Sequence, residues 1–241
     1  MSTSTQPHLP ELETVAKPTI LMETAALLSL AVAVLSLFLF AWIAEGVSHH
    51  QTMKFDLAVR ARVHAYAFPE MTKIMIALSF LGGDGLIFAV IVAFIAFLFF
   101  RWRRATLWLV ITLVGALVLD LSLKYAFHRP RPTPFFGALP RTYSFPSGHA
   151  LFSFCFYGVL AGLWAGRVRL ALQRRLIWIA AGILVIGIGL SRIYLGVHYA
   201  SDVIAGYLAA AVWVSTLITL DRLRVRRREK KRNVVVSVIS L

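Results

Sequence analysis

Polar residues in this chain are crowded into short connections between six apolar stretches, at roughly 20–44, 74–100, 105–123, 150–165, 176–195 and 203–220. An α-helix rises 1.5 Å per residue, so about 20 apolar residues cross the hydrocarbon core of a bilayer. The pattern predicts six membrane-spanning helices: an all-α, integral membrane six-helix bundle occupying 20–220, with tails at 1–19 and 221–241. Residues 45–70 form the one sizeable polar segment between spans. There Phe55, Val59, Val63 and Tyr66 recur at spacings of four, four and three, which predicts a short amphipathic helix at the membrane surface. Such a helix is either a rim that guides substrates or a plain connector.

Glycine marks two further places. In "FLGGDG", residues 80–85, no strand precedes and no lysine follows as a phosphate loop requires, so the glycines are read as close helix packing within a span. Gly158, Gly162 and Gly166 repeat every fourth residue, and a neighbouring helix is expected against that face.

Composition agrees with the pattern, since 59% of residues are hydrophobic and only 15% charged, which excludes a large soluble domain. The first apolar stretch is too long for a secretory signal and follows Glu11 and Glu13, so it reads as a retained helix. Cys155 is the single cysteine and excludes an intramolecular disulfide.

Charge sets the orientation. Six spans put both ends on one side, and that side collects sixteen of the twenty-five Lys and Arg residues. The positive-inside rule then places both termini in the cytoplasm. The tail "DRLRVRRREKKR" is read as a topology anchor attracted to anionic lipid, and no nucleic-acid partner is expected. Short loops and the lack of an N-x-S/T site fit a bacterial plasma membrane, the inner membrane of its host. His49, His50 and His64 have no further ligand at suitable spacing and read as surface histidines.

On this topology the unusual polar residues gather at one level of the outer, periplasmic face. Lys124 ends the third span, "PSGH" opens the fourth, Arg192 ends the fifth, and His198 to Asp202 opens the sixth. Prolines keep the loop after Lys124 from remaining helical. If the sixth helix starts early enough, His198 and Asp202 share a face, and the carboxylate accepts from one imidazole nitrogen while the other points outward. A nucleophilic or basic histidine is oriented in that way. Lys124, Arg131 and Arg192 are three cations suited to a phosphoryl group. Ser147 is a candidate N-cap, and the N–H groups around Gly148 and His149 suit a bound anion at a helix start. His149 adds a proton donor for a leaving alkoxide. His128, Arg129 and Arg141 read as loop solvation or secondary substrate contacts.

"KYAFHRPRP", "PSGH" and "SRIYLGVHYASD" together resemble the three-part signature of the type-2 phosphatidic acid phosphatase and vanadium haloperoxidase superfamily. The motifs occupy 124–202, and spacing selects Arg131 of the two Arg-Pro pairs. The resemblance implies that His198 attacks phosphorus to form a phosphohistidine and that Asp202 holds it. It implies that His149 protonates the leaving oxygen and then activates water, while Lys124, Arg131, Ser147, Gly148 and Arg192 bind phosphate oxygens. It implies neither metal nor cofactor. The expected protein is a membrane lipid phosphatase acting on a phosphomonoester or pyrophosphate, of the phosphatidic acid, phosphatidylglycerol phosphate or undecaprenyl pyrophosphate type. The alternatives are a lipid phosphotransferase using the same intermediate and, in a different class, a non-enzymatic transporter. Transporters place their charges near the midplane rather than at span ends.

Overall fold

The computed structural model describes residues 16–239, with side chains described for 24–228. Among the described residues all regular structure is helical: α1 (Ala16–Ser48), α2 (Met53–His64), α3 (Pro69–Leu81), α4 (Asp84–Phe99), α5 (Arg103–Phe127), α6 (Gly148–Ala165), α7 (Ala171–Tyr194) and α8 (Ala200–Ile239). The expected tail at 1–19 lies mostly outside them. Five helices are long and apolar enough to cross a membrane: Thr24–Ser48, Arg103–Phe127, Gly148–Ala165, Ala171–Tyr194 and Ala200–Arg228.

The expected second span, 74–100, is two helices. α3 and α4 are broken at Gly82 and Gly83 and bent by 41°, and counting the pair as one span makes six. The sixth helix also departs from expectation, because α8 continues past 220 into the charged stretch without interruption. Arg and Lys are good helix formers, so the end of an apolar run does not end a helix.

The described residues fall into two units. One joins the first part of α1 to the second part of α8, where Ser29 Oγ and Thr219 Oγ1 share a hydrogen bond of 2.8 Å. The other, 35–214, holds everything else. Within it α6 packs against α5 and α7, α3 against α7, and α4 against α5. Its interior includes Leu109 and Phe156 between α4, α5 and α6, and Ala116, Leu151, Cys155 and Ala210 between α5, α6 and α8. Its outward surface is apolar as well, with Phe38, Trp42, Phe88, Ile95 and Ile183 all exposed. A surface of that kind is stable in hydrocarbon and not in water.

Lipid gives apolar side chains no reason to prefer each other, so helix contacts in it depend on close packing. Gly206 on α8 provides such a contact: a Cβ there would stand 2.6 Å from the Ser147 carbonyl oxygen at the head of α6. On the expected glycine face of α6, a Cβ on Gly162 would meet Trp178 of α7 at 3.9 Å, whereas among the described residues one on Gly158 would meet nothing within 4 Å.

The segment at 45–70 holds a short helix as expected, but its burial is not that of a simple amphipathic connector. Val59 and Val63 pack inward, Phe55 and Tyr66 are exposed, and the fully buried residue is Asp56. α2 also grips the loop after α5. Arg60 donates to the Thr133 carbonyl and lies 3.9 Å over the Phe135 ring, on which His64 stacks at 3.7 Å. His49 and His50 are exposed and apart from this stack.

Candidate active site

Three chain segments far apart in sequence meet at one end of α5, α6, α7 and α8. α5 presents Asp120 and Lys124 one turn apart, both buried, with Lys124 Nζ donating to Asp120 Oδ1. Pro130, Pro132 and Pro134 bar further helix, and His128, at φ 46°, turns the chain out of α5. The loop then lies against the α7–α8 connection, with Phe135 N–H donating to the Leu195 carbonyl at 3.0 Å.

Arg131 has a partner for each of its five N–H groups. Nε donates to Thr142 O (2.6 Å), Nη1 to Val197 O and His198 Nε2 (both 2.9 Å), and Nη2 to Thr142 Oγ1 (2.9 Å) and Tyr143 O (3.1 Å). A guanidinium only donates, so His198 Nε2 is the accepting nitrogen. The proton of the neutral imidazole therefore sits on Nδ1, which faces Asp202 Oδ2 at 3.4 Å. Burial pulls the Arg131 pKa below its ordinary value. Burial also takes His198 down to about 4, against the pull of Asp202 and with the help of Arg131 beside it.

His198 and Asp202 do meet, though not on one helix face. α8 begins at Ala200, which leaves His198 in the turn ahead of it. Asp202 is the third residue of the helix, and its Oδ2 accepts from the Tyr199 N–H at 2.9 Å, the acidic half of a capping box. The same oxygen accepts from the Ser144 hydroxyl, and Oδ1 from Arg129 Nη1 at 2.6 Å. Arg129, expected as loop solvation or a secondary substrate contact, is instead buried among carboxylates.

Ser147 occupies the N-cap position of α6 without a side-chain cap bond, and its Oγ is buried with no hydrogen-bond partner. Its backbone N–H donates to the Asp202 carbonyl at 2.9 Å, tying the start of α6 to α8. His149, one residue into α6, packs on the α3–α4 break; a Cβ on Gly83 would lie 3.0 Å from its Nε2. Arg192, in the last turn of α7, donates to Ser79 Oγ on α3 and keeps a buried Nε without a partner.

Lys124, Arg131, Gly148, His149, Arg192 and His198 line one cavity of about 650 Å³. Ser147 and Asp202 are not in its lining. A Cβ on Gly148 would come 3.0 Å from Asp120 Oδ1 and 3.1 Å from Lys124 Nζ, so glycine keeps the cationic end open. Asp84, Asp120 and Thr142 also line it, and the rest of the wall is largely apolar: Leu86, Ile87, Val90 and Ile91 from α4, and Leu113, Val114 and Leu117 from α5. From Lys124 to Leu113 the helical rise is roughly 16 Å, so the lining runs from cations at the helix end to hydrocarbon well along the span.

Sequence reasoning missed Asp120, Asp56 and Ser144. Asp120 had a signal, its four-residue spacing from Lys124. Asp56 and Ser144 had none, because only the fold brings them to Asp202.

The model of the PAP2 superfamily matches residues 105–226. Phosphatidylglycerophosphatase B of Bacillus subtilis is 31% identical over 178 residues, 71% of this chain and 86% of that protein. Undecaprenyl-diphosphatase of Sulfolobus acidocaldarius is 36% identical over 127 residues, 50% of this chain and 56% of that one. The crystal structure of a transmembrane PAP2 type phosphatidylglycerolphosphate phosphatase from Bacillus subtilis shares the fold, with a TM-score of 0.71 at 23% identity over 80% of this chain and 96% of that chain. The matched helices are those that bring Lys124, His149 and His198 to one cavity, and the chain belongs to the PAP2 superfamily.

Proposed function

We propose that this chain is a membrane lipid phosphatase that hydrolyses a phosphomonoester or pyrophosphate carried by a lipid. The observation that carries the reading is the two-ended cavity, with Lys124, Arg131, Arg192 and two histidines at one end and the apolar wall of α4 and α5 at the other. An anionic headgroup on an acyl or prenyl chain fits both ends at once. The relatives act, by their names, on phosphatidylglycerophosphate and undecaprenyl diphosphate, lipids of this kind.

In the proposed reaction Lys124, Arg131, Arg192 and the N–H groups at Gly148 and His149 hold the phosphoryl oxygens. His198 Nε2 exchanges its bond from Arg131 for a bond to phosphorus. The phosphorus–oxygen bond of the leaving group breaks, and His149 supplies the proton that the departing oxygen takes up. Asp202 faces the imidazolium at Nδ1. Water, deprotonated by His149, then displaces the histidine and yields inorganic phosphate. Ser147 ties the start of α6 to α8 through its backbone N–H, and its buried Oγ has no protein partner to compete with a phosphoryl oxygen. The distribution of basic residues supports six crossings with both termini cytoplasmic and the cavity mouth at the outer face of a bacterial inner membrane.

The test is phosphate release from a panel of lipid phosphates and pyrophosphates in detergent with chelator present. Activity that survives His198→Ala overturns the mechanism, and activity abolished by chelator overturns its independence of metal. Phosphorylated lipid acceptor without free phosphate makes the protein a transferase.

A further inference from the structure

We propose that Asp56 and Arg129 act as a positioning pair for His198 and Asp202, which makes α2 part of the reaction machinery. The inference rests on the reading of His198 as nucleophile. Asp56 is completely buried on a helix whose other charged residues are not. Burying a carboxylate is expensive unless its oxygens are well bonded, and every bond of Asp56 leads toward Asp202. Its Oδ1 accepts from the Ser201 N–H at 2.9 Å; its Oδ2 accepts from Ser201 Oγ at 2.7 Å and Arg129 Nη2 at 2.8 Å. Ser201 is the second residue of α8, so Asp56 caps from another helix the end whose own N-cap residue, Tyr199, has no carboxylate or short hydroxyl to offer.

Arg129 is the shared member. Nη1 donates to Asp202 Oδ1 and, at 2.8 Å, to Ser201 Oγ; Nη2 donates to Asp56, and the guanidinium lies 4.3 Å over the Tyr199 ring. A planar fork can hold two carboxylates in one geometry where an ammonium cannot. Occupying Oδ1 leaves Oδ2 to face the imidazole.

The charges explain the second acid. Arg129 paired with Asp202 alone would cancel the negative charge that an imidazolium at His198 needs beside it. With Asp56 the buried trio keeps one net negative charge. With Arg129 bonded to Oδ1, Asp202 presents Oδ2 to the Nδ1 proton, and the lone pair stays on Nε2. The other charged or titratable groups that line the cavity with His198, namely Asp84, Asp120, Lys124, Arg131, His149 and Arg192, are untouched by changes at 56 and 129.

The experiment compares Asp56→Asn, Arg129→Gln and Arg129→Lys with the parent full-length protein in detergent, on the lipid phosphate it hydrolyses best, with His198→Ala as control. Removing the negative charge in Asp56→Asn is expected to move the acid limb of the kcat profile to lower pH, and removing the positive charge in Arg129→Gln to higher pH. Both should lower kcat by about 10- to 100-fold, the usual effect of losing a partner that orients a functional side chain, with KM changed by less than about threefold. Arg129→Lys should keep the acid limb in place yet lose kcat. A merely structural pair would not move the limb in opposite directions. Inhibition by inorganic phosphate and the melting temperature report whether each variant is folded, and Asp56→Asn with Arg129→Lys carry the test if Arg129→Gln does not fold. A kcat within twofold of the parent and an unmoved acid limb in the folded variants overturn the inference alone. Activity surviving in His198→Ala overturns the underlying reading and the inference with it.

Discussion

Arg129 and Arg131 stand two residues apart in "HRPRP" and meet different surroundings, because extended backbone turns alternate side chains to opposite sides. Arg131 lines the cavity while Arg129 is held among buried carboxylates. Spacing selected the first and could say nothing of the second, whose partners come from α2 and α8. The low pKa of His198, about 4, keeps its imidazole neutral through the range where a free histidine is half protonated. The phosphatase should therefore stay active as pH falls below 6.5 and lose activity on an acid limb near 4, measured as kcat/KM against pH. Linkage fixes the sign for stability. Between pH 4 and 6.5 the unfolded chain binds a proton at His198 that the folded one does not, so stability falls as pH falls across that window. Melting temperatures should show this decline, and His198→Asn should reduce it. Asp120 offsets Lys124 at the cationic end. Asp120→Asn should make inorganic phosphate about tenfold more inhibitory, roughly the worth of one charge-assisted hydrogen bond released to the anion.

At the level of elements, hydropathy located the apolar helices because their runs are long, and it failed at the far end of α8, which continues through charged helix formers to Ile239, and where a boundary depends on backbone contact. The break between α3 and α4 lies inside one apolar stretch marked only by Gly82, Gly83 and Asp84, and the glycines were equally compatible with packing. The start of α8 is set by acceptors at Asp202 and Asp56, neither of which hydropathy weighs. Small residues likewise mean different things in different helices. Gly206→Ala would drive a methyl group into the Ser147 carbonyl and should lower stability by about 1–3 kcal/mol, as overpacking does. Gly158→Ala meets open space and should leave the melting temperature and the activity unchanged. Thermal unfolding in detergent separates the two.

On the scale of the whole molecule, two expectations can be measured directly. With Cys155 replaced by serine, Gln51→Cys should react with an impermeant thiol reagent from outside intact cells and Arg169→Cys should not; the reverse result would invert the orientation. Leu117→Trp should narrow the apolar wall and raise KM for long-chain lipid phosphates several-fold, with little change for a short-chain, water-soluble analogue. The apolar helices and the gathering of Lys124, Arg131, His149, Arg192 and His198 at one cavity were legible because they rest on long apolar runs and on fixed spacings near the chain's turns. The buried pairings were not, because they arise from helices that sequence distance keeps apart. The full set of partners around Arg131 has one more implication. Loop carbonyls and Val197 already occupy its N–H groups, so in the proposed reaction phosphate would trade places with the protein's own oxygens. Product release would then return Arg131 to these partners, and inorganic phosphate should be a weak inhibitor that departs readily.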